Sequence, residues 1–216
     1  MSDHNQKIAI FGAGSVGGAL GGGWAKAGHS LFYVVRGGSD KSEARLSALL
    51  EQTGAQAGSA AEAVAFADVV VLALPWEATE ATLSGLDLSG KIVLDATNPL
   101  QPNLAGLIVP PAGSGGQQVA AWAPGARVVK IFNSTGANNM TNPAYAEGAA
   151  VMLYAGDDAE AKKVAHNLAT DLGFEAQDAG PLAASARLES LALLWISLAY
   201  AQGLGRDFAF RLMKRG

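Results

Sequence analysis

Directly after the apolar run Lys7-Ile8-Ala9-Ile10-Phe11, the segment Gly12-Ala13-Gly14-Ser15-Val16-Gly17 sets three glycines at the spacing G-x-G-x-x-G. That spacing suits the binding of a dinucleotide pyrophosphate at a helix N-terminus, where backbone N–H groups and partial positive charge meet the phosphates. Gly12 would permit the tight turn, Gly14 would let the backbone approach the pyrophosphate, and Gly17 would let the helix pack closely on the sheet, with Ser15 and Val16 opening that helix. In a chain with 27 glycines the pattern alone is weak, and a glycine-rich turn without a ligand is the plain alternative. Context gives it weight: a strand precedes it, a helix follows, and a second apolar strand arrives within about 30 residues.

The end of that second strand reads Tyr33-Val34-Val35-Arg36-Gly37-Gly38-Ser39-Asp40-Lys41. An NAD-binding unit usually places Asp or Glu there to hold the ribose hydroxyls. Without that carboxylate a 2′-phosphate meets no repulsion, and Arg36 offers a planar cationic fork for it. Ser39 and Lys41 can add a hydroxyl and a second charge. The expected dinucleotide is therefore NADP(H) rather than NAD(H).

Other chemistry is sparse. With no cysteine, disulfides, thiol catalysis and zinc–thiolate clusters are excluded. His4 lies in a polar leader, His29 in an Ala-Gly-His turn and His166 in an Ala-rich amphipathic helix, so surface or packing roles are expected of all three. No residue set has metal-ligand spacing, and no catalytic acid, base or nucleophile is identified.

The elements that must carry these residues alternate as short apolar runs and helical patterns, the signature of βα units on a parallel sheet. Strands are expected at 7–11, 30–35, 69–74, 91–95, 127–132, 150–155 and 174–178, and helices at 15–27, 41–52, 60–67, 76–84, 115–123, 158–172 and 183–202. Ser59-Ala60-Ala61-Glu62 reads as a capping box opening the third helix, and Gly28 stands where the first should stop. Gly18, Gly21, Gly22 and Gly23 each cost about 1 kcal/mol in a helix interior, and close packing is their expected reason. Asn98 to Gly116, with four prolines and four glycines, is irregular and long for a connection, a length that favours a functional loop. The fold class is α/β: a Rossmann-type doubly wound, mainly parallel sheet with a small C-terminal α/β extension. A division into 1–147, the dinucleotide-binding domain, and 148–216, a small domain forming the acceptor cleft and a dimer contact, is expected.

Bulk properties agree. Half of the 216 residues are hydrophobic and 16% charged, which suits a compact, largely buried sheet. The net charge of −4 gives no electrostatic reason for nucleic acid. The apolar stretch Leu191 to Ala201 is shorter than the roughly 20 residues that span a bilayer, and no signal-like leader is seen, so a cytoplasmic protein without membrane association is expected.

The chain resembles the NADPH-dependent coenzyme F(420) reductase family, the F(420):NADP oxidoreductases, whose fold also forms the cytosolic reductase domain of the six-transmembrane metalloreductases. The resemblance rests on Gly12 to Gly17, Arg36, Ala73-Leu74-Pro75-Trp76-Glu77 and Val128-Val129-Lys130-Ile131-Phe132-Asn133. It continues in Tyr154 to Asp158, Asp178 to Leu182 and Ser185-Ala186-Arg187-Leu188-Glu189. It implies that Leu74, Pro75 and Trp76 line the nicotinamide side of the cleft. Asn98 and Asn133 end two further strands and are expected to face it too, with Trp76 and Asn133 as positioning residues and Pro75, also lining the cleft, shaping the backbone. After Asn133, and in the loop from Asn98, the sequence is closer to the metalloreductase domain, which leaves the electron acceptor open.

The expected function is hydride transfer between NADP(H) and a small-molecule acceptor, coenzyme F(420) first and FMN or FAD next. A delocalised ring spreads the incoming charge itself, which fits a site without an acid or base. The alternatives are a non-enzymatic NADPH sensor and a reductase of small carbonyl compounds; the β-hydroxyacid dehydrogenase pattern is disfavoured because 183–205 contains no Lys. A homodimer is expected through the helix from Leu188 to Ala201, which is apolar around more than one face.

Overall fold

A computed structural model describes residues 5–35 and 39–215. Arg36, Gly37 and Gly38, like His4, lie outside them. Strands β1 (Lys7–Phe11), β2 (Ser30–Val34), β4 (Val69–Leu72), β5 (Ile92–Asp95) and β6 (Arg127–Lys130) form where short runs rich in β-branched and aromatic residues were read as strands. Between them run α1 (Ser15–Lys26), α2 (Asp40–Thr53), α3 (Ala60–Phe66), α4 (Trp76–Leu83) and α5 (Gly115–Trp122). The capping box at α3 is present: the Glu62 N–H donates to the Ser59 hydroxyl, and the Glu62 carboxylate accepts from the Ser59 N–H. That backbone bond and the Ser59 hydroxyl hold the Glu62 carboxyl below its ordinary range.

Three elements were not read in advance: the short edge strand β3 (Gln56–Gly58), the helix α6 (Ala137–Thr141) and a hairpin of β7 (Ala144–Tyr145) and β8 (Gly148–Ala149). The C-terminal part contributes β9 (Val151–Gly156), α7 (Ala159–Asp171), β10 (Glu175–Asp178) and α8 (Ser185–Ile196). A 3-10 turn at Leu182–Ala184 precedes α8 and a π-helical turn at Ser197–Ala201 follows it. The continuous helical run Leu182–Ala201 is thus longer than the apolar stretch read from sequence, and is long and apolar enough to span a bilayer. Here one side of it, including Leu188, Ala192, Trp195 and Ala199, is buried against the protein.

One eight-stranded sheet runs in the order β10-β9-β6-β5-β4-β1-β2-β3. From β3 to β6 all pairings are parallel and the order is that of the Rossmann fold, reversing between β1 and β4. Beyond β6 the sheet continues without a break: β9 pairs antiparallel to β6, and β10 parallel to β9. The unit β9–α7–β10 is the C-terminal α/β extension.

Alternation along β1 sends Ile8 and Ile10 to one face and Ala9 and Phe11 to the other. On the first face Leu20 and Trp24 of α1, Leu49 of α2, Met140 of α6 and Leu168 of α7 close the core. On the second face Ala63 of α3, Leu83 of α4 and Val119 of α5 do so. Strands β1, β2, β4, β5 and β6 are therefore covered on both sides, while the edge strand β3 is not, and the line of strand ends remains open.

Candidate functional site

The carboxyl end of β1 meets α1 through the glycine turn. Gly12 has φ +116°, a conformation that L side chains rarely adopt, and a Cβ there would drive into the Ala73 carbonyl. At Gly17 a Cβ would collide with the Gly12 carbonyl and stand 3.0 Å from Ile10 Cγ2, whereas at Gly14 it would meet nothing within 4 Å. The three glycines thus divide as turn, close packing and open space, which is the division a pyrophosphate requires. Gly14 is the N-cap of α1 without a side-chain cap, and no acidic residue occupies the first turn, so the turn's N–H groups can take an anion.

Behind this turn, Tyr33 of β2 is fully buried and its hydroxyl donates to the Gly17 carbonyl at 3.2 Å. Burial pushes the phenol up to about 12. Gly21 leaves it room: a Cβ there would overlap the hydroxyl and lie 2.9 Å from both Tyr33 Cζ and Ile10 Cδ1. Gly23 makes way for Leu172, and a Cβ at Gly18 would stand 3.3 Å from Leu49, whereas at Gly22 the nearest atom is 3.8 Å away. Close packing accounts for the first three; Gly22 has no comparable neighbour.

Of the residues expected around a 2′-phosphate, Arg36 lies outside the described residues. Ser39 is the N-cap of α2, with its side chain making no cap bond, and Lys41 is exposed in the first turn of that helix. A cation not singled out from sequence adds to them: Arg45 of α2 donates through Nη2 to the Ser15 hydroxyl at 3.4 Å, at the mouth of the glycine turn. Its pattern in the sequence was that of an ordinary exposed helix residue.

The neighbouring strand ends supply the other candidates. Leu74 is buried and its Cδ2 would stand 3.4 Å from a Cβ on Gly12, which joins the β4 turn to the phosphate turn. Pro75, exposed, is the N-cap of α4, and its carbonyl accepts from the Thr79 hydroxyl at 3.2 Å. The Trp76 ring packs on Trp122 of α5 with centroids 5.0 Å apart, so it is engaged on the α4–α5 side. Asn98 and Asn133, 35 residues apart, are brought together: Asn98 Nδ2 donates to the Asn133 carbonyl at 2.9 Å, and Asn133 Nδ2 donates to Asn98 Oδ1 at 3.0 Å. Asn133 Oδ1 is buried without a partner among the described residues. Phe132, just before it, holds φ +60° while its ring meets Trp24 edge-on at 5.6 Å. A left-handed Phe costs of order 1–3 kcal/mol, and such strain clusters at functional sites.

Below the pair lies a group of charges that the sequence reading did not assemble. Lys130 and Asp95 are fully buried and Glu189 nearly so. Lys130 Nζ lies 3.0 Å from Asp95 Oδ2 and 3.2 Å from Glu189 Oε1, and donates to the Thr97 carbonyl at 2.5 Å. Asp95 Oδ1 accepts from the Thr97 N–H and hydroxyl at 2.9 and 2.7 Å. Glu189 of α8 accepts from the Gly115 and Gly116 N–H groups at 3.1 and 3.0 Å, capping α5 from outside. For Asp95 and Lys130 a lone charge inside an apolar run was the available signal, since a buried charge demands a partner; Glu189, beside Arg187 at the start of α8, gave none.

The histidines described here make structural contacts. His29 Nδ1 accepts from the Gln6 N–H and its Nε2 lies 3.1 Å from Asp171 Oδ2, while His166 Nδ1 lies 3.2 Å from the Tyr154 hydroxyl.

Fold and site together define a Rossmann-type dinucleotide-binding α/β protein. Residues 7–99 match the family described as NADP oxidoreductase, coenzyme F(420)-dependent, and the resemblance read from sequence is borne out. An F(420)-dependent NADP reductase of Methanocaldococcus jannaschii is 34% identical over 141 residues, 61% of each chain. The chain thus spans less than two thirds of that relative's length. A crystal structure of a protein proposed to be an F(420)-dependent NADP reductase, from Arthrobacter sp. FB24, superposes with a TM-score of 0.83 at 29% identity, covering 97% of this chain and 100% of that one. A reductive aminase from Aspergillus terreus, solved with NADPH4, cyclohexanone and allyl amine, gives 0.66 at 26% identity over 92% of this chain and 63% of that one. Family and relatives are NADP-linked oxidoreductases, the class of enzyme expected.

Proposed function

We propose that this chain binds NADP(H) across the carboxyl ends of β1, β4, β5 and β6 and transfers a hydride between it and a deazaflavin or flavin ring. The observation that carries the reading is the glycine turn: Gly12 left-handed, Gly17 without room for a Cβ, and Gly14 opening onto free space at an uncapped helix N-terminus. The fit is good, since that arrangement leaves both volume and N–H donors for a pyrophosphate. Arg36, Ser39 and Lys41 would hold the 2′-phosphate and Arg45, through its place beside Ser15, would add charge to the phosphates. Leu74, Pro75 and the Asn98–Asn133 pair would hold the nicotinamide end. The bound dinucleotide supplies the hydride and its electron pair; the chain's part is to align donor and acceptor and keep water out.

The relatives support coenzyme F(420) as first acceptor; FMN and FAD, which carry the same kind of delocalised ring, come after it. The described residues line up no acid or base for a developing alkoxide, which favours a ring acceptor over a carbonyl. A homodimer in the cytoplasm completes the reading: Leu194 and Tyr200, 50% and 59% exposed on the C-terminal helical run, form the face a second copy would cover.

Stopped-flow mixing of NADPH-loaded protein with each of the three acceptors tests the chemistry, and titrations of wild type and Arg36→Ala test the cofactor. NADPH is expected to bind at least about tenfold more tightly than NADH, a difference near 1.4 kcal/mol, and to lose that preference in the variant. Reduction of a small carbonyl compound while none of the three rings is reduced would overturn the acceptor class. Binding without any turnover would favour a sensor.

A further inference from the structure

The buried group of Lys130, Asp95 and Glu189 has no place in the binding of phosphates and is not explained as a source of stability. Removing charges from water costs several kcal/mol per ion, so that well-packed apolar residues of the same volume do as well or better. Two carboxylates facing one ammonium also leave one negative charge over. That excess is met by the N-terminus of α5, whose first N–H groups bond Glu189 and whose dipole carries about half a positive charge. The closure is geometric as well: a Cβ on Gly115 would stand 2.8 Å from Glu189 Oε1 and 3.1 Å from Pro99 Cδ, and one on Gly116 would lie 2.8 Å from Ser185 Cβ.

What the group holds is the rim of the site. Thr97 is fixed by three bonds, two to Asp95 and one from Lys130. The next residue, Asn98, exchanges two hydrogen bonds with Asn133. On β6, Lys130 anchors the strand just before the left-handed Phe132 turns the chain into Asn133. Both partners of the asparagine pair therefore hang from the same ammonium, and Glu189 ties that ammonium to the C-terminal helix.

Resting on the proposed hydride transfer, we infer that Lys130, Asp95 and Glu189 act as positioning residues: they set the Asn98–Asn133 pair against the nicotinamide and make its geometry depend on the docking of α8. Buried at 0–2% exposure, the cluster is shut away from the open cleft. It acts through Thr97 and Asn98.

Glu189→Gln tests the link to α8 at constant size, and Thr97→Val tests the link to Asn98 with every charge still paired. NADPH affinity is expected to stay within about threefold of wild type, because the phosphate turn is untouched. Hydride transfer is expected to fall at least about tenfold, with kcat and kcat/KM falling together. The fluorescence gain of the bound nicotinamide should fall with it. Adding either substitution to Asn98→Ala should cost little more than Asn98→Ala alone, since both act through one pair. In cofactor-free protein, hydrogen exchange should quicken at 96–100 and 132–135 and not at β2. Lowered thermal stability with unchanged kcat, or full additivity with Asn98→Ala, would overturn the inference. Failure of wild type to bind NADPH would instead overturn the proposed function, and the exchange comparison would still decide what the cluster holds.

Discussion

Tyr33 and Gly21 offer a quantitative test of how the phosphate turn is held. In Gly21→Ala the added methyl overlaps the Tyr33 hydroxyl and presses on Cζ and on Ile10 Cδ1 at 2.9 Å. Overpacking of this kind costs about 1–3 kcal/mol. The displaced hydroxyl also loses the Gly17 carbonyl in a dry site, another 1–3 kcal/mol or so, while Ala in place of Gly returns about 1 kcal/mol to the helix. The net expectation is destabilisation by about 3 kcal/mol. Tyr33→Phe alone forfeits one buried hydrogen bond, about 1 kcal/mol. In the double variant the worst overlap is gone and only the 2.9 Å contacts remain, so its loss should be about 1–2 kcal/mol rather than the roughly 4 of the sum, a coupling of about 2 or more. Urea unfolding followed through the far-ultraviolet dichroism, with unchanged m-values, gives the four stabilities. NADPH affinity should follow them, falling in Gly21→Ala as α1 is pushed off the sheet and recovering in the double variant. Additivity within about 0.5 kcal/mol, or a neutral Gly21→Ala, would refute the packing argument.

The turn glycines should separate folding from binding: Gly14→Ala, with open space around its methyl, is expected to leave the melting temperature nearly unchanged while abolishing NADPH binding. Gly17→Ala, whose methyl meets the Gly12 carbonyl, should lower both, as calorimetry and fluorescence titration would show. The Tyr33 phenol, pushed up to about 12 by burial, predicts an alkaline signature. Its folded value lies above the unfolded value near 10, so the stability it contributes is complete below pH 10 and is lost as pH rises toward 12. Relative to Tyr33→Phe, wild type should lose about 2 kcal/mol across that window, measured by unfolding at fixed pH steps.

Most of the frame was legible because its signals are local. Apolar runs marked six of the seven longer strands, the polar β10 following from the alternation of strands and helices, and Ser59 with Glu62 marked a helix start that the capping box confirms. The glycine spacing foretold three different environments, and the structure has all three. What stayed hidden is non-local or weak in pattern. β3 is three residues long at an edge, with no apolar run to announce it. Asn98 and Asn133 were each expected at the cleft, but their bonds to one another were not, because only the neighbouring ends of β5 and β6 make them a pair. Lys130 falls inside the strand read at 127–132, and nothing in linear order joins it to Asp95 or to Glu189, because those contacts follow from strand pairing and helix docking.

The cap that Glu189 places on α5 also bears on how the molecule comes into being. Gly115 leaves the ribosome 74 residues before the side chain that satisfies its N–H. At a synthesis rate of about 5–20 residues per second, the nascent chain waits roughly 4–15 s, with β1 to β5 already made and β6 following within the first seconds. Throughout that interval the start of α5 has two donors facing a site meant to be dry, a deficit of about 1–3 kcal/mol for each. The Rossmann half is thus kept short of its final packing until α8 arrives, and a chain terminated before residue 189 would carry the same defect permanently.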